Sequence, residues 1–322
     1  MGRRQLSNES SILDTALLLL SRKKGLGSKD VINENRPLSA MSASKNVLIT
    51  GCSSGIGRCV AEGLRAREYR VIATAREPED VQQLQQQGFD ALHLDLDDSD
   101  SIEKAVKQTL TLCNNRIYAL FNNGAYGQPG AVEDLSRDTL RQQFETNLFG
   151  WHELTCKIIP HMRRQGEGRI IQNSSILGFM TLPYRGAYVA SKYALEGLSD
   201  TLRLELAGSG IYVSLIEPGP IESRFRENAL IHWRENIDAE NSFHQAHYRA
   251  MLGRLEKPGP ATPYTLPPEA VLKKVIHALA SKKPKPRYYV TFPTHLFAVL
   301  RRLLSTRAMD RMLLRVSSQG RR

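Results

Sequence analysis

The stretch Asn46-Val47-Leu48-Ile49-Thr50-Gly51-Cys52-Ser53-Ser54-Gly55-Ile56-Gly57 decides the fold of this 322-residue chain. Its first residues are mostly β-branched or aliphatic and predict a strand, and the pattern after Gly57 predicts a helix through about Arg67. Three glycines between them allow a tight turn. They also let backbone N–H groups approach a pyrophosphate at the helix N-terminus, where the dipole favours an anion. A glycine-rich run alone says little, but one that closes a strand and opens a helix has the context a nucleotide-binding turn requires. Gly51, Ser53, Ser54, Gly55, Ile56 and Gly57 are therefore candidate cofactor contacts.

Outward from this turn, short apolar runs alternate with helical segments. Strands are predicted at 46–50, 70–75, 91–96, 118–122, 169–173 and 212–216, with helices at 78–87, 101–112, 136–164 and 188–208. Alternation of this kind predicts an α/β fold: a single doubly wound parallel sheet, a Rossmann-type domain with helices on both faces. Ligands in such folds bind outside the carboxyl ends of the strands, so the loops after residues 50, 75, 96, 122, 173 and 216 should line one crevice. Residues 1–44 carry one short apolar stretch and then a Gly-, Ser-, Asn- and Pro-rich segment, and are read as a poorly ordered extension. Residues 292–322 form a helical, basic, amphipathic C-terminal tail.

The formal net charge of +11 invites a nucleic-acid reading, but the charge sits at the ends. Residues 282–322 hold 11 Lys/Arg against one acid, residues 1–45 hold 8 against 4, and the central body is slightly acidic. That distribution favours charged tails or surface attachment, and no nucleic-acid partner is expected. Cys52, Cys59, Cys113 and Cys156 show no C-x-x-C pairing and no histidine at zinc-finger spacing, as in a reduced cytoplasmic protein without a metal. No apolar run approaches the roughly 20 residues of a membrane span, and residues 16–20 make a poor signal peptide.

The residue after the second strand discriminates between dinucleotides. A carboxylate there would accept from the ribose 2′-OH of NAD, whereas Arg76, following the small Ala75, suits the 2′-phosphate of NADP(H). Tyr188 and Lys192 stand four apart in a helical pattern, so phenol and ammonium share a face. A free phenol titrates near 10 and a fixed cation beside it favours the phenolate; the roughly 3 units to neutrality are expected from Lys192 aided by a cofactor's positive nicotinamide in a dry site. Ser175, at the end of the fifth strand, should emerge in the same crevice with its hydroxyl free to meet a substrate oxygen. Asn147 sits mid-helix, where asparagine is otherwise unfavourable.

Together, the glycine turn, Asn147, Ser175, Tyr188 and Lys192 resemble the short-chain dehydrogenase/reductase family over residues 45–291. The resemblance implies a role for each. Tyr188 is the acid/base, and Ser175 binds the substrate oxygen. Lys192 holds the nicotinamide ribose and tunes the phenol, and Asn147 carries a water-mediated proton relay to Lys192. It also implies that Asp95 and Leu96 flank the adenine, and that Pro218, Gly219 and Ile221 lie near the nicotinamide carboxamide. Ser223 stands where the family usually has threonine. Residues 222–265 correspond to a mobile substrate lid, and the family is commonly homo-oligomeric. One departure stands out. Where the family usually reads Asn-Asn-Ala-Gly, this chain reads Asn122-Asn123-Gly124-Ala125. Asn123 and Gly124 remain candidate cofactor contacts, and the Ala125 methyl is expected where backbone approaches the cofactor, lowering affinity. The glycine turn, the Ala190–Asp200 helix segment and Glu217-Pro218-Gly219-Pro220-Ile221 are most similar to the hydroxysteroid and retinol dehydrogenase branch, which includes a bacterial NADP-dependent aldehyde reductase.

The expected reaction is NADP(H)-dependent reduction of an apolar aldehyde or ketone to the alcohol, with Tyr188 as proton donor. A hydroxysteroid or retinol dehydrogenase is the alternative of the same chemistry. An NADP(H)-binding sensor or scaffold without turnover is the alternative of another class. In the tail, Leu296, Val299, Leu300, Leu303 and Leu304 predict one apolar helical stripe, and Met309, Met312, Leu313 and Val316 another, with a break near Ser305-Thr306. Five arginines flank them (Arg301, Arg302, Arg307, Arg311 and Arg315). Two readings stay open: peripheral contact with an anionic membrane, or packing over the substrate pocket or at a subunit interface.

Overall fold

Strands β1 (Asn46–Ile49), β2 (Arg70–Ala75), β3 (Asp90–His93), β4 (Ala119–Asn122), β5 (Gly168–Asn173), β6 (Ile211–Glu217) and β7 (Arg287–Tyr289) form one sheet in the order β3-β2-β1-β4-β5-β6-β7. Every pairing is parallel. The computed structural model describes residues 45–256, 259–260 and 262–318; the expectation for the extension at 1–44 lies outside them. The strand order reverses between β1 and β4, which places the crevice beside the glycine turn, as a doubly wound fold requires.

Helices cover both faces, so the strands carry apolar residues on both sides. Val47 and Ile49 of β1 point to one face and pack with Val60 and Leu64 of α1 (Gly55–Arg65) and with Val271 and Val275 of α9 (Glu269–Ala280). Leu48, between them, points the other way, as the two-residue period demands. It packs with Ile102 and Val106 of α3 (Ser99–Leu112) and with Trp151, Leu154 and Ile158 of α5 (Gly150–Gln165). Each such fully buried aliphatic side chain contributes about 1.5–3 kcal/mol by leaving water. The remaining helices of the body are α2 (Pro78–Gln86), α4 (Arg137–Phe144), α6 (Gly186–Glu205), α7 (Phe225–Asn236) and α8 (Gln245–Leu255).

Two elements differ from the sequence expectation. The helix predicted across 136–164 is two helices, α4 and α5, joined by a π-turn at Glu145–Phe149. The extra residue in that wider turn shifts the hydrogen-bond register and changes which side chains face inward. β7 was not predicted: it has three residues, follows a lysine-rich loop, and pairs with Leu215, Ile216 and Glu217 of β6.

The tail forms α10 (Phe292–Leu303) and α11 (Thr306–Ser318), broken at 304–305 close to the predicted place. Phe297, Leu300 and Leu313 are buried in one cluster with Leu177 and Met180, and Leu296, Leu304, Met309, Met312 and Tyr188 pack against it. Most of the two apolar stripes therefore faces the body of the protein, while Leu303 and Val316 stay exposed. Among the described residues no helix is long and apolar enough to cross a membrane.

Candidate active site

The glycine turn is shaped by backbone. Gly51 (φ 69°) and Gly55 (φ 55°) occupy the left-handed region that L side chains avoid. A β-carbon on Gly51 would stand 2.6 Å from the Gly124 Cα, and one on Gly57 would collide with the Gly51 carbonyl oxygen. At Gly51 and Gly124 the β1 and β4 turns thus meet backbone to backbone. The Thr50 hydroxyl accepts from the N–H groups of Asn123 and Gly124, both at 2.8 Å. Asn123 donates to the carbonyls of Thr50 (3.0 Å) and Gly51 (3.2 Å) and accepts from the Asn173 amide (2.9 Å). Asn123 therefore ties the ends of β1, β4 and β5 together. Ser54, in extended backbone at the N-cap of α1, makes no side-chain cap bond, so its hydroxyl does not compete for the first-turn donors that an anion would use.

The inverted pair is closely packed. The half-buried Ala125 methyl packs against the apolar cluster that contains Leu96, Leu148 and Trp151. A β-carbon on Gly124 would lie 3.3 Å from both the Gly51 nitrogen and a Leu96 methyl, so glycine relieves a tight contact there. The Trp151 indole donates to the Gly124 carbonyl at 2.7 Å and steadies that turn.

The other cofactor candidates line the same rim. Arg76 follows β2 directly, is exposed and pairs with Glu77 at 2.8 Å, with Asp95 and Asp97 in electrostatic reach. The Asp95 carboxylate accepts from the Asp97 N–H at 3.0 Å. The Leu96 carbonyl lies so near Gly150 that a β-carbon would collide with it, a glycine requirement not read from the sequence. The Pro218 carbonyl accepts from Ile176 N–H at 2.7 Å, joining the β6 and β5 loops. Gly219 backs onto Thr291 and Thr294, and Ile221 bridges to Leu266. Ser223 lies over the glycine turn: a β-carbon on Gly55 would be 3.0 Å from its own.

The four predicted catalytic residues converge. Tyr188 and Lys192 lie on α6, and Ser175 follows β5 with its hydroxyl beside the Tyr188 phenol. The Lys192 ammonium is buried; it donates to the Asn173 carbonyl at 2.9 Å and sits 4.1 Å from the centre of the Trp151 ring and 5.7 Å from that of Tyr188. Asn147, buried in the π-turn, donates to the Tyr126 carbonyl (2.9 Å) and the Ser191 hydroxyl (3.2 Å), and accepts from Tyr126 N–H (3.2 Å). Ser191 in turn donates to the Tyr188 carbonyl at 2.8 Å.

Sequence reasoning missed Thr50, Tyr126, Trp151, Asn173 and Ser191, all of which position the predicted set. Only Ser191, between Tyr188 and Lys192 on the inward face of a helix, carried a readable signal. It also missed the contact of Phe225, at the start of the lid, whose ring centre is 5.3 Å from that of Tyr188.

Burial pushes the Tyr188 phenol up to about 12, with the Ser175 contact pulling back. Burial likewise pushes the Lys192 ammonium down to about 7, against the pull of Glu196. Loss of water is the largest cause of both shifts.

With this geometry in place, comparison with known proteins defines the class: residues 45–232 match the family model for short chain dehydrogenase. The chain is an oxidoreductase of the short-chain dehydrogenase/reductase family. It is 45% identical over 84% of its length to the uncharacterized oxidoreductase YbbO of Escherichia coli (strain K12), covering 94% of that protein. It is 31% identical to the NADPH-dependent 3-dehydrocapnine reductase of Ornithobacterium rhinotracheale, over 82% of this chain and 94% of that one. It is also 32% identical to the 17-beta-hydroxysteroid dehydrogenase type 1 of Homo sapiens, over 76% of this chain and 77% of that one. Similarity to the hydroxysteroid branch is thus borne out.

Proposed function

We propose that this protein reduces an apolar aldehyde or ketone to the alcohol with NADP(H), and that Tyr188 donates the proton. The observation that carries this reading is the Tyr188 phenol, half-buried beside Ser175 against the Phe225 ring and pushed up to about 12 by loss of water. A phenol held neutral at physiological pH is matched to giving a proton to a developing alkoxide, a stronger base. Ser175 orients the substrate oxygen, and Phe225 with the Leu177, Met180 and Leu300 cluster excludes water and favours an apolar substrate.

The residues present fit a dinucleotide. Side-chain-free glycines and the N-terminus of α1 would hold its pyrophosphate, and Arg76 its 2′-phosphate. Asp95 and Leu96 would flank the adenine, Lys192 would hold the ribose near Tyr188, and Pro218, Gly219, Ile221 and Ser223 would border the nicotinamide. When bound, the cofactor supplies the hydride. The NADPH dependence in the name of the 3-dehydrocapnine reductase supports the cofactor choice. The human 17-beta-hydroxysteroid dehydrogenase supports a second reading, in which the substrate is a steroid.

The test is oxidation of NADPH and of NADH against a panel of aldehydes, ketones, a ketosteroid and retinal. Turnover with NADPH and little with NADH is expected, fastest on apolar aldehydes or ketones. A strong preference for the steroid selects the second reading. Tight NADPH binding with no turnover on any member overturns the reductase reading in favour of a cofactor-binding sensor.

A further inference from the structure

Trp151, the second residue of α5, is fully buried and has contacts that the reaction above does not use. Its place is fixed by the backbone around it. The π-turn delivers the chain into α5, and Gly150 presses the start of that helix against the Leu96 carbonyl. From there the indole ring lies under the Lys192 ammonium, 4.1 Å from ring centre to nitrogen. The indole N–H donates to the Gly124 carbonyl at 2.7 Å.

An ammonium that has left water needs other partners to stay charged. Lys192 donates to the Asn173 carbonyl at 2.9 Å. The titratable groups around it are Tyr188 and Glu196 of its own helix. Glu196 is paired in turn with Arg287 of β7, which also pairs with Glu217 of β6 and Asp200 of α6. None of these groups touches the side of Lys192 that the indole covers with its negative face, and tryptophan is the strongest aromatic partner for a cation, more so in a dry site. The same side chain reaches the cofactor turn, because the Gly124 N–H donates to Thr50 and the Gly124 Cα meets Gly51.

We propose that Trp151 is a positioning residue for the Tyr188 chemistry: its ring keeps Lys192 charged beside the phenol, and its N–H ties that ring to the cofactor turn. The effect on rate rests on the reduction proposed above. The contact itself does not.

Fluorescence tests the contact without turnover, since gain or loss of a charge against the ring changes indole emission. The chain has two tryptophans, and the Trp233 indole N–H has no hydrogen-bond partner. Trp233→Phe therefore leaves Trp151 as the reporter and breaks no hydrogen bond. Its emission should titrate with a midpoint of about 7 as Lys192 loses its proton, and Lys192→Met should abolish that titration. Emission that stays flat between about pH 5 and 9, or a titration that survives Lys192→Met, overturns the contact.

The pH profile of reduction tests the role. Tyr188 becomes a phenolate as it gives up its proton, and a charged Lys192 beside it makes that step easier. The rate should therefore fall as the pH rises through the Lys192 titration. Trp151→Leu removes the ring face and should move this limb down by about one pH unit. Trp151→Phe keeps a weaker face and should move it in the same direction but less far. Both variants lose the indole donor, and both should weaken NADPH by a similar factor of about three to ten. A residue that only fills the core would lower turnover equally at every pH. That result, or a limb that moves up, overturns the support for Lys192; unchanged NADPH affinity in both variants overturns the tie to the turn. A protein that shows the fluorescence titration but turns nothing over would overturn the proposed reduction and leave the contact standing.

Discussion

At the β1 and β4 turns, position is set by close backbone contacts and a few fixed hydrogen bonds: Gly51 faces the Gly124 Cα, Gly57 faces the Gly51 carbonyl, and the Thr50 and Asn123 side chains tie three strand ends together. At the other end of the same crevice, Phe225, Leu300 and Leu313 reach the surroundings of Tyr188 from the lid and the tail, and what they contribute is side-chain bulk. The first region leaves little freedom, since a β-carbon in either glycine position meets main chain that cannot move aside. The second tolerates change, because apolar side chains can be exchanged at similar volume. On the proposed function, the rigid half would bind the cofactor and the adaptable half would select the substrate.

The largest expected effect follows from the rigid half. Gly51→Val would place a branched side chain at φ 69° against the Gly124 Cα, and should weaken NADPH binding more than about 100-fold. A fluorescence titration giving affinity within a few-fold of wild type would break the comparison. Next is Arg76→Ala, which removes a forked donor but no backbone. It should cost NADPH about 10- to 100-fold in affinity, the worth of charge-assisted bonds, and leave NADH nearly unchanged. An equal loss for both would assign Arg76 to general electrostatics. On the adaptable side, Phe225→Ala should raise KM for an apolar carbonyl about tenfold with little change in NADPH affinity. An effect on the cofactor instead would erase the division. The smallest effect is expected from Ala125→Gly. Because the methyl packs against the apolar cluster, NADPH affinity should stay within about twofold.

The same division explains what could be read from the sequence. Six strands were legible because their β-branched runs are buried on both faces, and the glycine turn because backbone constraints select glycine directly. Tyr188, Lys192 and Ser175 were legible as chemistry at a fixed spacing. β7 was not, since Arg287-Tyr288-Tyr289 is short and is held by ions from α6 and β6 that no local pattern announces. Nor was the π-turn at Glu145–Phe149, because one extra residue in a helix leaves apolar periodicity nearly intact; the awkward Asn147 was its only trace. The tail stripes were visible as amphipathic helices, but which surface they cover depends on folding. Spacing reported the cation beside Tyr188 but not the loss of water around both groups, which is the largest cause of both their shifts.

The central claim is that Tyr188 is the proton donor of an NADPH-dependent carbonyl reduction, and Tyr188→Phe tests it most directly. With the best substrate from the panel and saturating NADPH, turnover should fall about 1,000-fold while NADPH affinity holds. Full turnover in Tyr188→Phe would contradict the account and require another group to supply the proton.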